Sequence, residues 1–282
     1  MSLSRIEEVE EQVQKYWAPR FTKRLTESLL LGGLVNKEYQ GEIRQGGDEV
    51  TVSQINALDG EVQDASVDTF NAEKVSTSFI KIKADKRAVA AYKFTDLVSL
   101  QSQIDADSQP VREALTEDIE RQINKYLYSL VAPSSSTPDH ELTGEAAMTA
   151  AKLLAIRNLA AAARWRKEGG WWMLAGTKYY GDMLGDAVLA SMEYGAGDAP
   201  AVGGQVSLPR YGFNILEDNS RDGSFALAFH PDFMHMVSQT EVRVKISDLH
   251  SNQQFGVLMS VDLIFGAALG INGDVKHITQ TS

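Results

Sequence analysis

The sequence predicts a fold of mixed helices and strands, in which strand-like and helical stretches follow one another along the chain. Apolar and polar residues alternate around Val50 and again around Ile80, a period of two that is typical of half-buried strands. From Pro110 to Leu130 apolar residues instead recur at the spacing of an amphipathic helix. Beyond residue 138, short apolar runs and alanine-rich helical patterns are interspersed, so both kinds of structure continue toward the carboxyl end.

The composition is that of a folded protein without cysteine chemistry. The 282 residues, 43% hydrophobic and 23% charged, fit one elaborate domain or two ordinary ones. The absence of cysteine excludes disulfides, thiolate metal sites and cysteine nucleophiles. The formal charge of −11 argues against a protein that coats DNA, because affinity for phosphates needs a net basic contact surface.

Export and membrane insertion are not predicted. Residues 1–15 are charged and lack the apolar core of a secretion signal. No apolar run approaches the ~20 residues that cross a bilayer. We therefore expect a soluble protein that is made in the cytoplasm and has no membrane partner.

The amino-terminal residues predict an amphipathic helical arm. Ser4 and Glu7 form a capping-box pattern, and an apolar stripe at helical spacing then extends to Gly32 and Gly33, interrupted at Pro19. Such a stripe must be covered by the rest of the domain or by a neighbouring chain.

The next segment predicts one long β-hairpin. Val50 and Val52 follow a turn signal at residues 46–48, residues 57–74 are polar, and a strand pattern then begins near Ile80 and persists loosely to Phe94. A hairpin alone is marginally stable in water, and its long edges need a partner.

A long helix follows the hairpin. Thr95 or Ser99 could cap a short helix that ends near Ile104, and Pro110 then begins a helix of residues 110–131, roughly 33 Å long. The proline- and serine-rich stretch 133–138 predicts a linker.

Behind the linker, the patterns predict several shorter elements and one glycine-rich loop at residues 193–205. The predicted helices are Thr143–Glu168, Tyr179–Ala190 and Pro231–Ser238, and the predicted strands are Trp171–Ala175, Tyr211–Leu216, Phe225–Phe229, Val242–Ile246 and Phe255–Ile271.

Signatures of catalysis are weak. There is no serine elbow, and the stretch 176–178 has the wrong order for a phosphate-binding loop. The pattern of Asp218, Ser220, Asp222 and Gly223 imitates the start of a calcium loop, but Phe229 stands where the bidentate glutamate belongs. A polar turn between strands is the favoured interpretation.

The histidines and paired acids also predict structural roles. His230 and His235 are five residues apart with Asp232 between them, whereas metal pairs on a helix prefer spacings of three or four. We expect His230 to end a strand and His235 to lie on a helix. His140, His250 and His277 are isolated, and Asp105 and Asp107 are expected to cap the long helix. We therefore predict no catalytic, cofactor-binding or metal-binding residue, and no enzyme.

Two further groups of side chains are candidates for contacts. Trp171, Trp172, Tyr179 and Tyr180 could form a ligand platform, but core or interface packing is favoured. Two basic strips stand out from the acidic background. We expect both strips to lie on solvated faces and to pair with neighbouring acids. The alternative is that they contact phosphate or an acidic patch on another subunit. The first strip is Lys81, Lys83, Lys86, Arg87 and Lys93, with Asp85 among them, and the second is Arg157, Arg164, Arg166 and Lys167.

Several short motifs, taken in order, resemble one family. Residues 35–43 and 46–52 read V-N-K-E-Y-Q-G-E-I and G-G-D-E-V-T-V. Further motifs are K-A-D-K at 83–86, A-Y-K-F-T-D at 91–96, L-P-R-Y-G-F at 208–213, A-L-A-F-H at 226–230 and V-D-L-I-F-G-A at 261–267. Their order and spacing over nearly the whole chain resemble the major capsid proteins of tailed bacteriophages, whose fold also builds encapsulin shells.

The resemblance implies an α+β fold with named parts and a role in a virus shell. Its parts would be an amino-terminal arm (1–34), an extended hairpin loop (35–94), a peripheral domain with the spine helix (95–132), an axial domain (133–240) and peripheral return strands (241–282). The implied function is a structural coat protein that self-assembles through hexamers and pentamers into an icosahedral shell around double-stranded DNA. The implied partners are further copies, a portal, a separate scaffolding protein and DNA held by weak, non-specific contact. The chain would belong to the virion and assemble in the host cytoplasm.

Two alternatives stay open at this point. An encapsulin-like cellular compartment shell would carry a cargo-binding groove, which the sequence does not identify. An α/β enzyme or ligand-binding protein with a dimerising arm would need a convergent polar pocket. Some relatives crosslink their subunits through a lysine and an asparagine, but no residue here identifies such a pair.

Overall fold

The computed structural model describes residues 30–39, 49–55, 62–66, 72, 74–95, 109–131, 141–143, 147–190, 211–220, 223, 225–238, 243–252, 254–270 and 275–279. Four predictions lie outside these residues: the arm up to residue 29, the short helix before the long one, the linker at 133–138 and the loop at 193–205.

The described chain contains five α-helices, eleven strands and two short 3₁₀ helices. The helices are α1 (Leu31–Leu34), α2 (Gln109–Val131), α3 (Ala150–Ala162), α4 (Thr177–Gly185) and α5 (Ala187–Ala190), and the 3₁₀ helices are Pro231–Phe233 and Leu249–Asn252. The strands are β1 (Glu49–Ile55), β2 (Thr77–Lys83), β3 (Lys86–Phe94), β4 (Glu141–Thr143), β5 (Trp171–Ala175), β6 (Phe213–Glu217), β7 (Phe225–Phe229), β8 (Met234–Ser238), β9 (Arg243–Asp248), β10 (Val257–Leu269) and β11 (Val275–Thr279).

Three sheets organise the described strands. β1 and β2 form a two-stranded antiparallel hairpin. A four-stranded sheet has the order β3-β10-β8, with β9 also paired to β10. A five-stranded sheet has the order β4-β11-β7-β5-β6 and mixes parallel with antiparallel pairs. This mixture of helices with partly antiparallel sheets confirms the predicted α+β class.

The described residues fall into two compact units. The smaller contains residues 89–95, 109–118, 244–252 and 254–261, and the larger contains the rest. The larger unit has its main core between the five-stranded sheet and helices α3 and α4. β7 is buried at every position, as expected for a central strand that is covered on both faces.

The long helix and the hairpin confirm the sequence patterns. α2 spans Gln109–Val131, within one residue of the predicted range at its start, and buries Leu115, Ile119 and Ile123 at helical spacing. Leu127 and Tyr128 are buried in the next turn, whereas the predicted Tyr126 and Leu130 are only half-buried. The hairpin pairs Glu49 with Lys83 at one end and Ile55 with Thr77 at the other.

The strand pattern that was predicted to run from Ile80 to Phe94 is divided in two. β2 ends at Lys83 and pairs with β1, while β3 begins at Lys86 and pairs with β10. At this break Gly266 of β10 lies against the backbone, since a Cβ atom on it would stand 1.9 Å from the Lys83 carbonyl oxygen. Only glycine permits this close approach.

The predicted helix from Thr143 to Glu168 is shorter at both ends. Thr143 lies in β4 rather than at a helix cap, and α3 runs only from Ala150 to Ala162. The chain then turns at Arg164, which adopts a left-handed φ of 56°. This turn places Trp165 in the core, edge-on to Trp171 at a ring distance of 5.8 Å. Helix propensity alone does not predict that the helix ends early so that Trp165 can pack in the core.

The predicted helix Pro231–Ser238 is wrong beyond its first turn. A single 3₁₀ turn, Pro231–Phe233, leads into strand β8, which pairs antiparallel with residues 265–269 of β10. Four consecutive residues from Met234 to Val237 are buried, so this short run has neither a helical nor a strand period. Two further strands, β4 and β11, were not predicted, because they are short and polar and gain their structure by pairing in the five-stranded sheet.

Candidate assembly surfaces

The hairpin presents one apolar and one polar face. Val50 and Val52 of β1 stand opposite Ile82 and Ile80 of β2, and these four side chains pack in a small apolar cluster with Val237 of β8. The alternation of apolar and polar residues in the sequence therefore corresponds to an apolar face of the hairpin that packs against β8.

The opposite face carries the first part of the predicted basic strip. Lys81 and Lys83 donate to the two carboxylate oxygens of Glu49, at 2.6 and 3.2 Å. These hydrogen bonds lower the pKa of Glu49 below its usual value. Because both lysines are largely exposed, the cluster is a solvated surface feature with a modest contribution to stability.

The remaining cations of this strip are also engaged. Lys86 pairs with the neighbouring Asp85 at 3.3 Å, and Lys93 hydrogen-bonds Gln254. Arg87 reaches Asp262 of β10 with two guanidinium donors, at 3.1 and 2.8 Å, and this carboxylate is only 6% exposed. The expectation of solvated faces paired with acids is therefore confirmed for most of the first strip.

Large apolar side chains remain exposed at the outer end of the hairpin. Phe79, on the polar face of β2, is 62% exposed, and Val62 and Val75 in the connection between the strands are also exposed. Contiguous exposed apolar surface marks sites of protein interaction, so this group of residues is a candidate contact site.

The smaller unit has an exposed apolar group of its own. Val244 and Ile246 alternate along β9 and are exposed on the same side of that strand, and Phe255 is 73% exposed. Val89 and Tyr92 of β3 are exposed as well. Each of these residues is a candidate contact site of the smaller unit.

The chain that leads into the hairpin is attached to β8. Asn36 forms a parallel bridge with His235, in which its N–H donates to Met234 O at 3.1 Å and its carbonyl accepts from Met236 N at 2.9 Å. Its side-chain amide also donates to Asp232 Oδ1 at 2.8 Å. Backbone and side chain of one residue thus hold residues 35–39 on the larger unit.

His235 lies beneath this attachment. The residue is 8% exposed, its ring meets Tyr39 edge-on at 5.6 Å, and its Nδ1 is buried without a hydrogen-bond partner in the described part of the chain. Burial lowers the pKa of His235, and the carboxylates of Asp232 and Glu38 partly oppose that shift. The prediction that this histidine lies on a helix is wrong, because tertiary pairing makes it part of β8.

His230 ends β7, as predicted, and has a structural role. Its Nε2 donates to the carbonyl of Glu168, and its Nδ1 accepts from the backbone N–H of Asp232 at 3.2 Å. Both ring nitrogens therefore have partners, and the side chain holds the turn before β5. In the described residues no group of three or more histidine, aspartate or glutamate side chains could hold a metal ion.

The stretch that imitates a calcium loop is part of the core. Asp218 is fully buried and accepts from the hydroxyl of Tyr128 and from the backbone N–H of Ser220, the latter at 2.8 Å. The side chain of Asn124 donates to Ser220 Oγ at 3.3 Å. These contacts fasten α2 to the segment behind β6. They confirm the expected polar turn at Asp218 and Ser220, while Asp222 lies outside the described residues.

The four aromatic residues near β5 mainly build the core. Trp171, Tyr179 and Tyr180 are buried in the main cluster, and Trp172 is half-buried. This confirms the prediction of core packing for three of them. His250 is exposed, whereas Asp105, Asp107 and His140 and the side chain of His277 lie outside the described residues.

The second basic strip borders a cavity of about 470 Å³. Its described lining is Arg157, Lys167, Gly170, Trp171, Tyr211 and Gly212. Arg166 turns away and approaches Asp232 at 3.6 Å. The strip is therefore divided, because Arg157 and Lys167 face a cavity rather than an acid among the described residues.

Membrane-spanning segments are not found among the described helices, since none combines the necessary length and apolar character.

Comparisons with known proteins identify the fold. No protein-family model matches the sequence, and no curated protein matches it either. Solved structures do match over almost the whole chain. A chain of Mycobacterium phage Che8 has a TM-score of 0.76 at 18% identity, with 98% of both chains covered. A chain from the capsid structure of cyanophage P-SCSP1u has a TM-score of 0.75 at 12% identity, with 97% of this chain and 94% of that chain covered.

A third similar structure is the capsid asymmetric unit of cyanophage Pam1, with a TM-score of 0.73, 13% identity and 98% of both chains covered. Identities this low, at such coverage, show a shared fold. The chain therefore has the fold of the tailed-phage major capsid proteins, as its motifs implied.

Proposed function

We propose that this protein is the major capsid protein of a tailed bacteriophage, which self-assembles through hexamers and pentamers into an icosahedral shell around double-stranded DNA. The observation that carries the proposal is the match of nearly the full chain to structures of phage capsids, with TM-scores of 0.75 and 0.73. Because the similar structures come from capsids, a structural role is favoured over an enzymatic one.

The exposed apolar residues give the proposal a physical mechanism. Phe79 on the hairpin and Ile246 and Phe255 in the smaller unit are exposed in the single chain. Covering such groups between copies removes apolar area from water, at about 25 cal/mol per Å². Specific protein interfaces bury more than ~1,000 Å², and repeated contacts of this kind would drive closure of a shell.

The parts of the chain receive their names within this proposal. Residues 1–34 would form the arm, 35–94 the extended loop, 95–132 and 241–282 the peripheral domain, and 133–240 the axial domain. The proposed partners are other copies, a portal, a separate scaffolding protein and packaged DNA in weak, non-specific contact. Assembly would take place in the host cytoplasm, and the protein would end in the virion.

The test is the assembly state of the purified protein. Concentrated protein should form hexamers, pentamers or closed particles in sedimentation velocity and in negative-stain electron micrographs. A stable monomer under all assembly conditions would contradict the proposal. Particles that enclose a protein cargo rather than DNA would favour a cellular compartment shell.

The hairpin's role is tested by F79S, with V188D as the control. Phe79 is exposed, so its replacement should leave the thermal unfolding of the single chain unchanged while lowering the particle yield. Val188 is also exposed but belongs to α5 rather than to the hairpin, and its replacement should not affect the yield to the same extent. Deletion of residues 1–30 should likewise impair assembly more than folding.

A further inference from the structure

We propose that the cavity between Arg157 and Lys167 binds an acidic side chain of a neighbouring copy of this chain. The inference rests on the proposed function, because it requires copies packed side by side. It assigns a partner to a cationic site, whereas the shared fold alone assigns none.

The cavity is bordered by two cations and an aromatic ring on three separate segments. Arg157 is exposed on α3, Lys167 lies in the turn between α3 and β5, and Tyr211 precedes β6. Guanidinium and ammonium groups can only donate hydrogen bonds, so the partner must be an acceptor. Two cations at one opening favour an anion over a neutral acceptor.

The turn that carries Lys167 is held in place before any partner binds. The indole Nε1 of Trp171 donates to Arg166 O at 2.7 Å, and His230 holds the carbonyl of Glu168. The following Gly169 and Gly170 have left-handed φ angles of 82° and 75°. A preformed wall lowers the entropy that is lost on binding.

A second part of the cavity wall is also shaped by the backbone. Tyr211 and Gly212 have left-handed φ angles of 51° and 88°, and a Cβ atom on Gly212 would lie in ordinary contact with the Trp171 ring, at 3.8 Å. Tyr211 packs against the main core cluster. Hydrogen bonds on one segment and core packing on the other therefore hold the residues that border the cavity.

The charged side-chain groups of Arg157 and Lys167 have no ion-pair or hydrogen-bond partner among the described residues. The adjacent Arg166 differs, because it approaches Asp232 at 3.6 Å. The cations of the first strip also differ, since Lys81, Lys83, Lys86 and Arg87 all meet a carboxylate of their own chain. In the described part of the chain, the cavity brings two cations to one opening without such an acid.

The charge of the whole chain favours another copy as the source of the acid. Each copy carries 38 acidic and 27 basic residues, so adjacent copies repel one another unless acids of one meet cations of the next. An arginine can take a carboxylate with two parallel hydrogen bonds, which adds geometric specificity to the attraction. The cavity volume of about 470 Å³ has room for a carboxylate side chain. A DNA phosphate is the competing anion, and the test separates the two.

The experiment compares the full-length wild type with R157E/K167E under assembly conditions. Particle yield is measured by sedimentation velocity and electron microscopy, folding by thermal unfolding, and packaged or bound DNA by its absorbance after nuclease treatment. The double variant should fold like the wild type and lose about tenfold or more in particle yield, since a reversed charge meets the partner's acid. R157K/K167R should retain assembly.

The matched control is K37E/K125E, which changes the net charge equally at two exposed lysines outside the cavity and outside the exposed apolar groups of the hairpin and the smaller unit. If this control loses particle yield as strongly, net charge alone is the cause and the inference is overturned. Normal particles of R157E/K167E with less DNA would identify phosphate as the anion and also overturn it, as would normal particles with normal DNA. A wild type that never assembles would instead refute the proposed function together with this inference.

Discussion

The hydroxyl of Tyr128, on the long helix α2, donates a hydrogen bond to the carboxylate of Asp218, which directly follows β6. Both residues are almost completely buried, and the Tyr128 ring also meets Phe225 of β7 edge-on at 5.3 Å. This contact joins the helix to the five-stranded sheet by a polar bond within an apolar environment. A buried carboxylate depends on such donors, because it has lost its hydration.

Replacement of Tyr128 by phenylalanine should therefore destabilise the protein. Y128F keeps the ring but leaves an oxygen of Asp218 without this donor, at a cost of about 1–3 kcal/mol in the free energy of unfolding. Urea unfolding would measure the change. Y126F is the matched control, since Tyr126 is half-buried on the same helix and contacts Phe265 through its ring. An equal effect of both variants would show that the bond to Asp218 is not the cause.

Arg87 and Lys86 are adjacent cations with different environments, and their removal should have different effects. R87A leaves the nearly buried carboxylate of Asp262 without two charged donors and should cost about 1–2 kcal/mol. K86A removes an exposed pair with Asp85 and should change the free energy of unfolding by less than about 0.5 kcal/mol. Chemical denaturation of both variants tests this, and equal losses would contradict it.

Gly266 should not tolerate a side chain. In G266A the new methyl group would collide with the Lys83 carbonyl oxygen, so the break between β2 and β3 must shift, at a cost of at least about 2 kcal/mol. Thermal unfolding measures the loss. In contrast, G181A adds a methyl group at a helical position with no atom within 4 Å and should be neutral or slightly stabilising. An unchanged thermal unfolding of G266A would mean that the backbone near Lys83 shifts at little cost to make room for the methyl group.

His235 should make the stability depend on pH. Its folded pKa is lowered by burial, so below the ordinary value of 6.5 the unfolded chain binds a proton more readily than the folded chain. The contribution of neutral His235 to the free energy of unfolding is therefore complete above pH 6.5. It is lost as the pH falls toward the pKa of His235 in the folded protein. Urea unfolding between neutral and mildly acidic pH should show this decline.

The variant H235F should weaken the pH dependence, because it retains a ring beside Tyr39 without a titratable group. H250Q serves as the control, since His250 is exposed and its removal should leave the decline unchanged. A decline of the same size in H235F would assign it to other groups.

Much of the architecture follows from local sequence patterns. The alternation at Val50 to Val52 and Ile80 to Ile82 predicts the hairpin, because a strand exposes successive residues to opposite faces. The helical stripe predicts α2 with nearly correct limits, and Phe225–Phe229 is a strand as predicted. The net charge and the absence of cysteine also come directly from the composition and exclude whole classes of chemistry.

The candidate surfaces were only partly predictable. Both basic strips are visible in the sequence, but the acid that meets Arg87 lies 175 residues away, at Asp262. The cations that line the cavity, Arg157 and Lys167, were likewise not distinguishable in the sequence from Arg166, which lies next to Lys167 and approaches Asp232. Sequence spacing does not predict which distant segment of the chain contacts a given side chain.

The sequence by itself determined the hairpin, the long helix and the lack of recognisable catalytic motifs, since these depend on periodicity and residue type. Only the tertiary structure decided that β8 is a strand rather than a helix and that α3 stops before Trp165. It also decided that β11 completes the five-stranded sheet between β4 and β7. In each case pairing or core packing with distant residues outweighs local preferences of a few tenths of a kcal/mol to about 1 kcal/mol per residue.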